Sequence, residues 1–252
     1  MMPALFIGHG SPMNAIEDNT YTRMLSGLGE KFPRPKFILV ISAHWLTNGS
    51  FVTSMDKPST IHDFGGFPKE LFEVNYPAPG NAATAKLVQE LLGVRADKSW
   101  GFDHGTWSVL KHLYPAADIP VLQLSIDKNL SLQEHFNLGQ KLRKIREIEG
   151  LVIGSGDIVH NLRALKWGSD VAPYEWALEF DLLAKEKIRQ RDFKYLIEDV
   201  LSTEAGRLSN PTLDHYIPLL YTLGASVEDD ELFFEYEGIQ NGSISMTSFR
   251  FE

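Results

Sequence analysis

Four stretches of this chain, Ala4–Ile7, Phe37–Ser42, Val121–Ile126 and Leu151–Ile153, are short, mainly apolar and rich in β-branched or aromatic residues. They do not alternate between polar and apolar positions, as a strand with one wet face does. Such strands must be covered on both sides. Helical patterns lie between them. Ser131 and Glu134 form a capping-box pair, followed by Leu132, Phe136, Leu142 and Ile145 at helical spacing. Asn81 is placed to cap a helix through Leu92 that stops at Gly93, and Pro173 precedes another with Trp176, Phe180 and Leu183 on one face. Strand–helix alternation predicts an α/β fold with a mainly parallel central sheet flanked by helices. Ser243–Phe251 does alternate, and reads as a late edge strand, antiparallel to the rest. With 252 residues, 43% hydrophobic, and no repeat or linker-like tract, residues 1–252 are expected to form a single domain with a sizeable core.

The histidines carry the functional signal. Of eight, His9, His44 and His160 each follow directly on an apolar strand candidate, in ALFIGH, FILVISAH and LVIGSGDIVH. The carboxyl ends of parallel strands line one edge of a sheet, where ligand sites collect. Residues remote in sequence therefore meet there, and a metal site is expected at that edge. The chain has no cysteine, so imidazole is the natural ligand for a first-row metal, supplemented by carboxylate. His104, in WGFDHGTW, and His215, in LDHYIPLLY, join as candidates. His62, in IHDFGGFP, is placed to line a substrate loop, whereas His112 and His135 lie inside helical segments and read as structural. Asp103 and Asp214 each precede a histidine, either as turn carboxylates bonded to backbone or as groups that orient an imidazole. Trp45, Trp100 and Trp107 form either an aromatic wall to the site or ordinary core.

Several function classes are excluded. With 33 acidic against 24 basic residues the formal charge is −9, and no basic stripe offsets it, so nucleic acid is not an expected partner. No stretch approaches the ~20 apolar residues needed to cross a bilayer. The opening run MMPALFIGHGSP lacks the basic leader and the length of a signal peptide, and together with the absence of cysteine this predicts a cytoplasmic protein. Gly154-Ser155-Gly156 is not a nucleophile elbow, and no P-loop or dinucleotide fingerprint follows a strand.

The motifs GHGSP at 8–12, SAHW at 42–45, TIHDFGGFP at 60–68, YPAPG at 76–80, WGFDHG at 100–105, GSGDIVHNL at 154–162 and HYIPLLY at 215–221 give the chain a family resemblance. It resembles the DOPA-type extradiol dioxygenases, a branch of the class III enzymes that include the catalytic subunit of protocatechuate 4,5-dioxygenase. The resemblance implies one α/β catalytic domain and a mononuclear iron(II) site that cleaves a catechol ring beside its hydroxyls with O₂. By motif, His9 and His44 match the two N-terminal metal histidines, and His160 and His215 match two more that face the metal. Which of these two is the third ligand and which a base stays open, so both count as metal-contacting and His160 also as catalytic. His104 matches a histidine that contacts substrate. Zn(II) competes for imidazole sites and is the other metal expected in purified protein. Two alternatives share the same residues: a zinc-dependent hydrolase, and a binding protein that keeps the fold without the activity. No His-Glu-x-x-His pattern supports the first, and the full set of histidines speaks against the second.

Overall fold

A computed structural model describes residues 1–168 and 171–252. The strands are β1 (Ala4–Gly8), β2 (Phe37–Thr47), β3 (Phe51–Thr53), β4 (Arg95–Asp97), β5 (Val121–Asp127), β6 (Gly150–Gly156), β7 (Leu232–Tyr236), β8 (Ile239–Gln240), β9 (Ile244–Ser245) and β10 (Ser248–Phe251). The helices are α1 (Thr20–Leu28), α2 (Lys69–Phe72), α3 (Ala82–Leu92), α4 (His104–Leu113), α5 (Leu132–Lys141), α6 (Arg143–Glu147), α7 (Glu175–Arg189), α8 (Phe193–Glu198), α9 (Glu204–Ser209) and α10 (Ile217–Ala225).

Eight strands form one sheet in the order β4-β3-β5-β2-β6-β1-β10-β7. Its centre, β5-β2-β6-β1, is parallel throughout. These strands are the four apolar runs of the sequence, and their successive residues enter different layers. Leu5, Ile7, Ile38 and Val40 pack towards α1 and α4, while Leu39, Ile41, Leu122 and Val152 pack with residues of α3, α6 and α10. Covering both faces is what their unbroken apolarity requires. Helix boundaries follow the capping signals. Ser131 and Glu134 form the reciprocal capping box of α5, Asn81 caps α3, and Gly93 ends that helix with φ 73°.

The last segment departs from expectation. Ser243–Phe251 splits into β9 and β10, and β10 is antiparallel to β1 as expected but is not an edge. Leu232–Tyr236 adds β7 outside it. Four residues of β7 are half-buried and Phe233 is exposed, which suits an outer strand. The β8–β9 hairpin turns at Asn241-Gly242, both with positive φ (51° and 77°), the backbone of a type I′ turn.

Candidate metal centre

Three sheet strands and two following segments deliver the histidines to one place. β1 ends at Gly8, and His9 follows it, buried. His44 lies within β2 where the register against β5 breaks, between Ile41 and Leu46, so the strand leaves the flat sheet as it presents this side chain. β6 ends at Gly156, and the amide of Asp157 donates to the carbonyl of His215 (2.9 Å), which fixes His215 just ahead of α10. His160 is held by its amide bond to Ser209 O (2.9 Å) and a bridge to Ile244. His104 is the first residue of α4. Gly105 follows it because a Cβ there would lie 2.5 Å from Ser42 Oγ and 3.0 Å from the His44 ring. All five histidines line one cavity of about 240 Å³, with Phe64, Phe67, Trp167 and Ile244 among its walls.

The hydrogen bonds decide which nitrogens face inward. The Ser155 hydroxyl donates to Gly105 O (2.6 Å), so it accepts from His9 Nδ1 (3.0 Å) and leaves the lone pair on Nε2. His215 Nδ1 lies 2.5 Å from Asp214 Oδ2. His44 Nδ1 lies 3.4 Å from Asp63 Oδ2. His9 and His215 are thus tied back through Nδ1, the arrangement by which a carboxylate or hydroxyl orients a metal-binding imidazole, while His44 Nδ1 faces Asp63 without a hydrogen bond. His9 Nε2 and His44 Nε2 stand 3.1 Å apart. Two nitrogens each about 2.1 Å from one ion at a right angle would be about 3.0 Å apart. His9, His44 and His215 each bring a ligand atom to within 4.8 Å of the others. The residues present therefore fit a metal ion.

Two further trios meet the same distance, His44–Asp63–His104 and Asp157–His160–His215. In the first, Asp63 is already engaged, its Oδ1 accepting from the His104 amide and its Oδ2 from His104 Nδ1, both at 2.9 Å. In the second, His160 stacks face to face on His215 at 3.4 Å and 6°. Asp157 Oδ1 accepts from the Gly10 amide (3.0 Å), while Oδ2 is buried without a hydrogen-bond partner, 3.7 Å from His9 Nε2.

Burial sets the charge states. It pushes the His9 and His44 imidazoles well below their usual value, and the neighbouring imidazoles push further in the same direction. His160 is pushed down to about 3 by burial and then by His215. These rings are neutral at pH 7, the form that ligates a metal or accepts a proton. Burial raises the Asp157 carboxyl well above the carboxylate range. Burial would also raise Asp214, but the hydrogen bond and charge of His215, with the bonds from Thr212 and its own backbone amide, together outweigh it and the net shift is downward.

Other expectations fared differently. His62 does not line the cavity; it lies against Val74 O (3.0 Å), edge-on to Phe64 and beside Trp107. His112 and His135 are structural as expected, bonded to Asn14 O (2.8 Å) and the Tyr221 hydroxyl (2.9 Å). Trp45 and Trp100 stack on one another and Trp107 bonds to Ile61 O, so none of the three lines the cavity. Phe64, Phe67 and Trp167 form the aromatic wall instead. Sequence reasoning missed Asp63, Ser155 and Asp157, although all three lie inside motifs already singled out for their histidines.

A parallel-sheet edge carrying converging imidazoles with carboxylate and hydroxyl backing defines a histidine-rich candidate metal centre of the oxygenase or hydrolase type. The family described as the catalytic LigB subunit of aromatic ring-opening dioxygenase matches residues 3–248. Among curated proteins, 4,5-DOPA dioxygenase extradiol of Escherichia coli (strain K12) is 49% identical over 98% of this chain and 93% of its own length. The protein of the same name from Beta vulgaris is 36% identical over 98% and 95%. The crystal structure of an uncharacterized Escherichia coli K12 protein superposes with a TM-score of 0.85 at 44% identity, covering 99% of both chains. The chain belongs to the LigB family of extradiol aromatic ring-opening dioxygenases.

Proposed function

We propose that residues 1–252 form one catalytic domain that cleaves the ring of DOPA or a related catechol with O₂ at a single iron(II). His9, His44 and His215 would hold the metal. The observation that supports this most strongly is the convergence of their ligand atoms in one cavity, with all three Nδ1 atoms facing a hydroxyl or carboxylate. Iron(II) bound there would hold the catechol and pass electrons from its ring to O₂.

The chain supplies the rest. His160, beside His215 but outside the His9–His44–His215 trio, is the base that takes a catechol hydroxyl proton. His104 has its Nδ1 held by Asp63, so its Nε2 is free to meet a substrate oxygen in the same cavity. Phe64, Phe67 and Ile244 exclude water and give the ring an apolar seat. Among the described residues no helix is long and apolar enough to cross a membrane, and a reducing cytoplasm suits an iron(II) site in a chain without cysteine.

The test uses one batch of apo-protein reconstituted anaerobically with iron(II) or zinc. Zinc has no accessible redox change, so it can hold a catechol but not activate O₂. The iron form should consume oxygen with DOPA and develop the visible absorbance of a ring-opened semialdehyde, without added flavin or nicotinamide. The zinc form should do neither. Ester or amide hydrolysis by the zinc form, with no oxygen uptake by the iron form, would establish the hydrolase alternative instead.

A further inference from the structure

Asp181 and Lys185 lie one turn apart on α7, both buried, and neither lines the histidine cavity. Taking a carboxylate and an ammonium out of water is costly unless further bonds satisfy both. Both are satisfied here. Asp181 Oδ2 pairs with Lys185 Nζ (2.9 Å), and Lys185 also reaches Glu237 Oε2 (2.7 Å), just past β7. Asp181 Oδ1 accepts from the hydroxyls of Ser245 (2.5 Å) and Thr247 (2.8 Å). Helix α7 thus grips the short linker between β9 and β10 from behind.

That linker supports two of the site histidines. On one side the Ser248 hydroxyl accepts from the Gly8 amide (3.0 Å), and a Cβ on Gly8 would lie within 2.9 Å of backbone atoms of Ser245, Met246 and Thr247. His9 is the next residue. On the other side the Ser245 amide donates to Val159 O (2.9 Å), Ile244 pairs with His160 in an antiparallel bridge, and the Ser243 hydroxyl donates to Asn161 O (2.9 Å). Ile244 itself lines the cavity. A shift of the linker therefore moves His9, His160 and part of the apolar seat together, while Phe64, Phe67 and His104 arrive on other segments.

We infer that Asp181 is a positioning residue for the ring-cleavage site, setting through Ser245 and Thr247 where His9 and His160 stand relative to one another. This rests on the reading of His9 as a metal ligand and His160 as the base. Loss of the clamp should weaken metal binding by about 10-fold and lower kcat by ~10²-fold, since a misplacement of about 1 Å is enough for such losses. The KM for catechol should change less than kcat, because the clamp touches neither His104 nor the two phenylalanines.

Two variants separate the clamp from the ion pair. Ser245→Ala combined with Thr247→Val removes both hydroxyls and keeps Lys185 paired. Asp181→Asn keeps a polar partner for the two hydroxyls, which can donate or accept, but gives up the charge that Lys185 faces. Chelator competition on zinc-loaded protein reads the placement of His9 without turnover, and oxygen uptake by iron-loaded protein with DOPA reads that of His160. The double variant should show both losses while melting closer to wild type than Asp181→Asn does. Asp181→Asn should melt lower and yet keep affinity and turnover near wild type; if it does not fold, the double variant decides alone. Affinity and turnover that simply follow melting temperature, or a double variant unchanged in both, would overturn the inference. Wild-type protein that binds zinc but consumes no oxygen in its iron form would count against the ring-cleavage reading alone, since chelator competition still decides the clamp.

Discussion

The chain contains two Asp-His dipeptides at its site, Asp103-His104 and Asp214-His215, and the structure uses them in opposite ways. Asp214 turns towards its own neighbour and holds His215 Nδ1 at 2.5 Å. Asp103 turns away. It caps α4 by accepting from the Thr106 amide (3.2 Å), accepts from the Ser42 hydroxyl (2.6 Å), and is paired with the Gln123 side-chain amide. His104 is oriented instead by Asp63, far away in sequence. Local structure decides between the two outcomes. Asp103 stands at the start of a ten-residue helix whose first-turn amides need an acceptor, whereas Asp214 lies two residues ahead of Tyr216, the cap of α10, and makes no side-chain bond to that helix. One dipeptide builds a helix, the other orients an imidazole of the candidate metal site.

The largest effect separates the two histidines. His104→Ala should retain its metal but lose ~10²–10⁴-fold in turnover, the range for a positioned acid–base group, as read by iron content and oxygen uptake. Metal loss in this variant would make His104 a ligand and remove the contrast.

The carboxylates come next. Asp214→Asn should weaken metal binding by ~10–100-fold, measured by competition with a chelator, because it removes the group that orients His215. Asp63→Asn should lower turnover by a similar factor, with a smaller change in metal affinity, since its closer contacts are to His104. Asp103→Ala should act on the fold, costing about 2–4 kcal/mol in denaturant unfolding through the lost cap and the orphaned partners, while metal affinity changes less than in Asp214→Asn.

The smallest effect is a pair of opposite pH slopes. Burial, then Asp63, raises Asp103 to about 6 from 3.8, so its contribution to stability is present below 3.8 and is lost as pH rises through about 6. Asp214 is lowered, so its contribution is present above 3.8 and is lost as pH falls below that value. Relative to wild type, Asp103→Asn should therefore fare better as pH rises from 4 to 7, and Asp214→Asn should fare better as pH falls below 4. Thermal melts of the metal-free variants across this range check both signs. Slopes of the same sign would mean that the two carboxylates share one role.

The parallel core was legible because unbroken apolarity in β1, β2, β5 and β6 admits little else, and the strand ends then pointed His9 and His44 to one edge. What stayed hidden depends on contacts between distant segments. Nothing in TIHDFGGFP announces that Asp63 serves His104, and Ser155 reads as a small residue in a glycine-rich turn until Gly105 O is placed beside it. β7 was missed because its short aromatic run is embedded in acidic residues, Glu228 to Glu231 before it and Glu237 after it. The sequence left Trp45, Trp100 and Trp107 open between aromatic wall and core; they lie outside the cavity lining, and Phe64, Phe67 and Trp167 supply the wall.

The choice between His215 and His160 was open in the sequence, and the whole assignment of roles turns on it. Metal content of His215→Ala and His160→Ala, prepared side by side under anaerobic iron(II) and dialysed equally, tests it directly. The account predicts iron well below one per chain in His215→Ala and full occupancy in His160→Ala, with turnover lost in both. Full occupancy in His215→Ala with loss of iron from His160→Ala would contradict it.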